Sequence, residues 1–79
     1  MFKSLHSPEN VRLVAWLKDQ RENQGLTMRD LAKRLDTPHS FIGKVEQGDR
    51  RLDVIEYLQY CDALGVSPIE GLRVIEPGL

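Results

Sequence analysis

The sequence predicts an all-α fold of five short helices. Two observations lead to this prediction. Serine, threonine or aspartate residues, which cap helix N-termini, recur just before segments whose apolar residues are three or four positions apart. In contrast, no alternating run of β-branched or aromatic residues is long enough for a strand. The 79 residues, of which 41% are hydrophobic and 29% charged, have the composition of one small globular domain.

The first helix is predicted to begin at Ser7 as its N-cap, with Pro8 in the first position, and to stop at Gly25. The residues expected on its inner face are Leu13, Val14 and Leu17, followed one turn later by Arg21.

The second helix is predicted over about residues 28–35. Thr27 is a natural N-cap, and Asp30 lies three residues later, where it can complete a capping box. Leu26 can pack against Leu31 across this helix start, which would fix the direction in which the chain enters the helix.

A break at Asp36 to Pro38 separates the second helix from a third, predicted over about residues 38–47. Pro38 pushes Thr37 out of the helical region, and Thr37 is expected to cap the new helix, whose inner residues are Ile42 and Val45. Helices this short must pack on each other. The pattern therefore predicts a helix-turn-helix, a motif that commonly places its second helix in the major groove of DNA.

The fourth helix is predicted to open at Asp53, with Glu56 as its capping partner, and to end before Gly65. Ser67 opens a short fifth helix that fades near Val74. The residues predicted on the inner face of the fourth helix are Ile55, Leu58, Cys61 and Leu64. The helices together form one predicted domain over 7–76, with an N-terminal arm at 1–6 and a tail at 77–79.

A set of residues in a fixed order runs through these helices. It comprises Arg21, Gly25-Leu26-Thr27, Leu31-Ala32, Ile42, Val45-Glu46-x-Gly48 and Ala63-Leu64-Gly65-Val66-Ser67-Pro68. With this set, the chain from about Leu13 to Pro68 resembles the phage-repressor and Cro-type helix-turn-helix regulators of the XRE family. The resemblance implies a compact lambda-repressor-like domain and a transcriptional regulator that binds double-stranded DNA.

The outer face of the third helix is the predicted reading surface, because Ile42 and Val45 occupy the inner face. The positions at which the resemblance implies base contacts are His39, Ser40, Gly43 and Lys44. Lys44 and a protonated His39 can donate to guanine, and Gly43 allows only close backbone approach. The alternative to base reading is, for Lys44, a solvated surface lysine. For His39 it is a side chain that caps or shields the start of the helix.

A second group of residues is predicted to hold the DNA backbone. Its members are Thr27, Met28, Arg29, Gln47, Arg50 and Arg51. Met28 departs from the family pattern, which has a glutamine that donates to phosphate at this position. Either that contact is absent here, or Met28 makes an apolar contact with a sugar or a thymine methyl. The resemblance also implies a structural ion pair between Arg21 and Glu46, behind the recognition helix.

Charge is distributed unevenly along the chain, whose formal net charge is −1. Residues 1–51 sum to +3 and residues 52–79 to −4. This asymmetry suits one face toward phosphate and another toward a protein partner, although chance segregation is the alternative. A homodimer is expected, which would place two recognition helices ~34 Å apart on an inverted repeat. The candidate interface residues are Ile69, Leu72, Val74 and Ile75.

Other classes of function find little support in the sequence. His6, His39 and Cys61 have no spacing typical of a metal site, so no metal, cofactor or enzymatic activity is expected. No long apolar run predicts a membrane span, and a cytoplasmic location is expected. The expected function is a repressor, with an antitoxin or operon controller as one alternative. The other alternative is a helix-turn-helix that binds a protein partner through the acidic C-terminal part and has no operator.

Overall fold

The computed structural model describes residues 6–79, which form five α-helices without a strand among them. The helices are α1 (Pro8–Asn23), α2 (Met28–Leu35), α3 (His39–Glu46), α4 (Val54–Leu64) and α5 (Pro68–Ile75). The all-α class is thereby confirmed. Apart from His6, the predicted N-terminal arm lies outside the described residues.

The predicted helix starts are confirmed at α1, α2 and α4. In α2, the Thr27 hydroxyl accepts from the Asp30 amide at 3.0 Å, and the Asp30 carboxylate accepts from the Thr27 amide at 2.9 Å. Asp53 and Glu56 make the same reciprocal pair at the start of α4, at 2.7 and 2.9 Å. These contacts satisfy amides that have no partner inside a helix.

The turn before α3 differs from the prediction that Thr37 caps this helix. Asp36 ends α2 in the left-handed region at φ 55°, and Pro38, at ψ 146°, is the residue that precedes α3. The helix therefore begins at His39 rather than 38, and it ends at Glu46 rather than 47. The Thr37 amide donates back to Ala32 O at 3.0 Å, while the buried Thr37 hydroxyl has no partner among the described residues. Pro38 remains extended, so Thr37 is too far from the helix to cap it.

The core lies where α1, α2, α3 and α4 meet. Its fully enclosed members are Leu17, Leu31, Ala32, Ile42, Val45, Tyr57, Tyr60, Cys61 and Leu64. Cys61 is a small buried hydrophobe, as predicted, and burial raises the pKa of its thiol. The thiol therefore stays protonated at neutral pH.

The predicted inner face of α4 was partly wrong. Ile55 and Leu58 are 63% and 46% exposed, whereas Tyr57 and Tyr60 are buried. Relative to the prediction, the helix turns a different face inward. Tyr60 and Cys61, three and four residues after Tyr57, share that buried face with it. This arrangement buries the larger aromatic surfaces.

Helix α5 approaches α1 and α4 closely at Gly71. A Cβ on this residue would clash with the Tyr57 hydroxyl and would lie 2.7 Å from Cζ3 of Trp16. The same Tyr57 hydroxyl donates to Pro68 O at 2.6 Å, which fixes the start of α5 against α4. The absence of a side chain at Gly71 thus sets the distance between α5 and the rest of the domain.

We predict that Gly71→Ala lowers the free energy of unfolding by about 1–3 kcal/mol, because Tyr57 and Trp16 must move to admit the methyl group. The control is Gly43→Ala, whose Cβ would meet only Met28 Sδ, at 3.9 Å. That change should stabilise α3 by about 0.5–1 kcal/mol. Urea denaturation of both variants measures the effects, and an unchanged midpoint for Gly71→Ala would contradict the prediction.

Candidate nucleic-acid interface

The outer face of α3 carries the predicted base-reading residues. Ile42 and Val45 are fully buried beneath it. On the solvent side, His39, Ser40 and Lys44 are exposed, and Gly43 is half-buried. The structure therefore brings all four positions together on one short surface, with three side chains free of the core. These side chains can donate to or accept from base edges.

The N-terminus of α2 lies beside this surface and is organised by its capping box. The Thr27 amide and hydroxyl are both engaged with Asp30. The hydrogen bond from the Thr27 amide lowers the pKa of Asp30, and the hydrogen bond with the Thr27 hydroxyl lowers it further. The Asp30 carboxylate is therefore charged at neutral pH. This negative charge disfavours a phosphate at Thr27 itself. The amides of Met28 and Arg29, which have no acceptor within the helix, remain better placed for an anion.

Arg50 lies in the loop that follows α3 and is held by Glu56 of α4, a contact that sequence reasoning missed. Its guanidinium donates to both carboxylate oxygens of Glu56, at 2.5 and 3.0 Å, and also to Arg51 O. It lies 5.2 Å from the centre of the Phe41 ring. The Arg50 contact lowers the pKa of Glu56. Because Glu56 pairs with Arg50, this arginine anchors the loop after α3 to the first turn of α4.

The other predicted backbone contacts keep polar groups at the surface. Arg29, Gln47 and Arg51 are exposed, and Met28 is half-buried, with part of its side chain against the core. The six residues predicted to hold the DNA backbone therefore comprise three exposed polar side chains, one anchored arginine, one apolar side chain and Thr27, whose hydroxyl is engaged in the capping box.

A buried ion pair holds α3 in place from behind. Arg21 Nε and Nη2 donate to the two carboxylate oxygens of Glu46 at 2.6 and 3.0 Å, and Arg21 Nη1 donates to Leu26 O at 2.7 Å. The side chains of Arg21 and Glu46 are only 9% and 4% exposed. Burial and the nearby Glu46 charge raise the pKa of Tyr60, so its hydroxyl stays neutral. One arginine thus connects α1, the α1–α2 loop and α3.

Two short helices across a tight turn, with the second fixed by a buried ion pair and turned outward, define a helix-turn-helix domain. Residues 17–70 match the family model described as helix-turn-helix. The chain belongs to this family and, within it, to the XRE type of regulator. It is therefore a DNA-binding transcriptional regulator.

Three solved structures are similar to this chain. An XRE-family-like protein from Pseudomonas syringae pv. tomato str. DC3000 shares 37% identity, with a TM-score of 0.84 over 92% of this chain and 89% of that one. The restriction-modification controller protein C.AhdI from Aeromonas hydrophila is 29% identical, with a TM-score of 0.73 over 78% of this chain and 94% of its own. The clp gene regulator ClgR from C. glutamicum shares the fold. It is 24% identical, with a TM-score of 0.78 over 90% of this chain and 92% of its own. Comparison with curated proteins gave no match.

None of the helices in residues 6–79 has the length and apolar character needed to cross a bilayer. Within the same range, no group of three His, Cys, Asp or Glu side chains lies close enough together to hold a metal ion.

We predict that removing one partner of the Arg21–Glu46 pair costs more stability than removing both. Glu46→Ala should lower the free energy of unfolding by about 3–5 kcal/mol, because it removes the buried carboxylate that binds the guanidinium and leaves only the exposed Glu22, 3.8 Å away. The double variant Arg21→Met, Glu46→Leu should lose less. Lys44→Ala is the control, and it should reduce DNA binding without changing stability.

Thermal unfolding measures the stabilities, and fluorescence anisotropy with labelled duplex measures the binding. Equal melting temperatures for the wild type and Glu46→Ala would contradict a structural role for the pair.

Proposed function

We propose that this protein is a cytoplasmic, homodimeric repressor that binds an inverted-repeat operator and blocks access to a promoter. The supporting observation is the outward face of α3, where His39, Ser40 and Lys44 are exposed. The buried ion pair between Arg21 and Glu46 holds this helix from behind. In this proposal, these three side chains read base edges in the major groove. Occupying the promoter is sufficient for repression, so no catalytic group or activation surface is required.

The phosphate contacts are assigned in this proposal to Arg29, Gln47 and Arg51, together with the amides at the start of α2. All three side chains are exposed and flank the reading surface in sequence. Each phosphate neutralised by a cationic side chain adds about 0.9 to the slope of log affinity against log salt. The two arginines and Lys44 supply only three cationic side chains for phosphate. The proposal therefore requires a second copy of the domain for tight binding.

The proposed dimer interface is an apolar patch on α4 and α5. Val54, Ile55, Leu58 and Ile69 are all large apolar side chains, between 46% and 73% exposed. The interface predicted from sequence included Ile69 but otherwise lay on residues that the structure half-buries, with Leu72 packed against the core. The revised patch retains Ile69 and extends onto α4. Such a surface on a small domain favours self-association, which removes it from water.

An operon controller is a second candidate, because the chain is 29% identical to the restriction-modification controller C.AhdI. A controller of this kind would bind DNA through the same surface. It would differ in the position of its operator, which would lie at the promoter of its own operon.

We predict that the purified protein, at physiological salt, enriches an inverted repeat from a random duplex pool, with half-sites about one helical turn apart. Lys44→Glu and Arg51→Glu should each abolish this binding, because a carboxylate then faces the DNA. Arg73→Glu makes the same charge change on α5, which packs against α1 and α4, and it should leave binding intact.

Absence of enrichment by the folded wild-type protein would overturn the proposed function. It would instead favour a helix-turn-helix that binds a protein partner through the acidic C-terminal part.

We predict that Leu58→Asp weakens the dimer by about thirtyfold or more, since a charge at the centre of an interface costs about 2 kcal/mol or more. Analytical ultracentrifugation measures the shift toward monomer. Val11→Asp is the matched control, because Val11 is also apolar and 55% exposed but lies on α1. A Leu58→Asp protein that dimerises as tightly as wild type would place the interface elsewhere.

A further inference from the structure

The Met28 side chain lies against Gly43 of the recognition helix. A Cβ placed on Gly43 would lie 3.9 Å from Met28 Sδ, which is ordinary van der Waals distance. Both residues are half-buried, so part of each remains accessible to solvent. With no side chain on Gly43, the thioether of α2 lies beside the bare backbone of α3.

This contact places an apolar group inside a polar surface. His39 lies one turn before Gly43 on α3, and Lys44 is its immediate neighbour, while Gln47 lies one turn after Gly43, just past the end of the helix. All three neighbours are exposed and carry hydrogen-bonding groups. Methionine has no donor, and its sulfur is a weak acceptor. The Met28 side chain therefore cannot donate a hydrogen bond to a phosphate, unlike the backbone amide of the same residue.

The edges of the bases in the major groove offer one apolar partner, the C5-methyl group of thymine. Neither cytosine nor the purines carry an apolar group at that edge. We propose that Met28 and Gly43 together form an apolar contact surface that selects a thymine by its methyl group. This inference rests on the proposed function, because it requires α3 to enter the major groove of an operator.

The test uses the duplex enriched by the wild-type protein, with each thymine of one half-site replaced in turn by deoxyuridine. This replacement removes the methyl group and leaves every hydrogen-bonding group in place. One position should weaken binding by about fourfold, which corresponds to the burial of one methyl group at about 0.8 kcal/mol. Fluorescence anisotropy on the intact protein measures each affinity.

Variants assign the effect to this pair. Met28→Leu should keep the preference for thymine over uracil at that position, while Met28→Gln should remove it. Gly43→Ser is a second probe that adds a hydroxyl beside the Met28 sulfur, in a space that accepts a Cβ, and it should reduce the preference. Arg29→Gln is the control on the same helix, and it should weaken thymine and uracil duplexes equally.

Equal wild-type affinity for the thymine duplex and every uracil duplex overturns the inference and leaves the proposed function standing. An unchanged preference in Met28→Gln also overturns it, because another residue then reads the methyl group. Weaker binding by Met28→Gln without any thymine preference in the wild type would indicate a sugar contact, which likewise overturns it. Failure to enrich any duplex removes both the proposed function and the inference.

Discussion

The Arg21–Glu46 ion pair is the interaction on which the geometry of the proposed DNA-binding surface depends. Arg21 uses its donors on Glu46 and on Leu26 O, so α1, the loop that follows it and α3 meet at one guanidinium. Burying two charges costs desolvation energy that their attraction only partly offsets. The planar fork of the guanidinium instead supplies direction, because both of its contacts to the carboxylate must be made together. That direction sets which face of α3 is turned outward.

The opposite side of the domain is organised by packing rather than by charge. Trp16 and Tyr57 close around the bare backbone of Gly71, and the Tyr57 hydroxyl holds Pro68 O. This arrangement covers the inner side of α4 and leaves Leu58 facing solvent. The two surfaces used in the proposed function therefore depend on different interactions, an ion pair for DNA and aromatic packing for self-association.

Sequence reasoning succeeded where the signal was local. Capping boxes and the apolar spacing of α2 and α3 involve residues within one or two turns, and the structure contains them. It failed where a choice depended on tertiary contacts. The face of α4 could not be chosen between Ile55 and Tyr57 without knowing what packs against it. The pairing of Arg50 with Glu56, six residues away, was not predicted, because it follows no helical spacing. The residues proposed to read bases came from family resemblance, since spacing alone shows only that they lie outward.

Glu56 joins two parts of the domain that the proposed function uses. It caps α4 through the Asp53 amide and at the same time holds Arg50, so the loop after α3 is tied to the first turn of α4. The same helix presents Val54 and Leu58 to solvent. In the proposed dimer, these contacts would link the loop after the recognition helix directly to the helix that carries the subunit contact. Such a protein would measure the spacer between its half-sites as a fixed length, and inserting a single base pair would put one half-site out of phase.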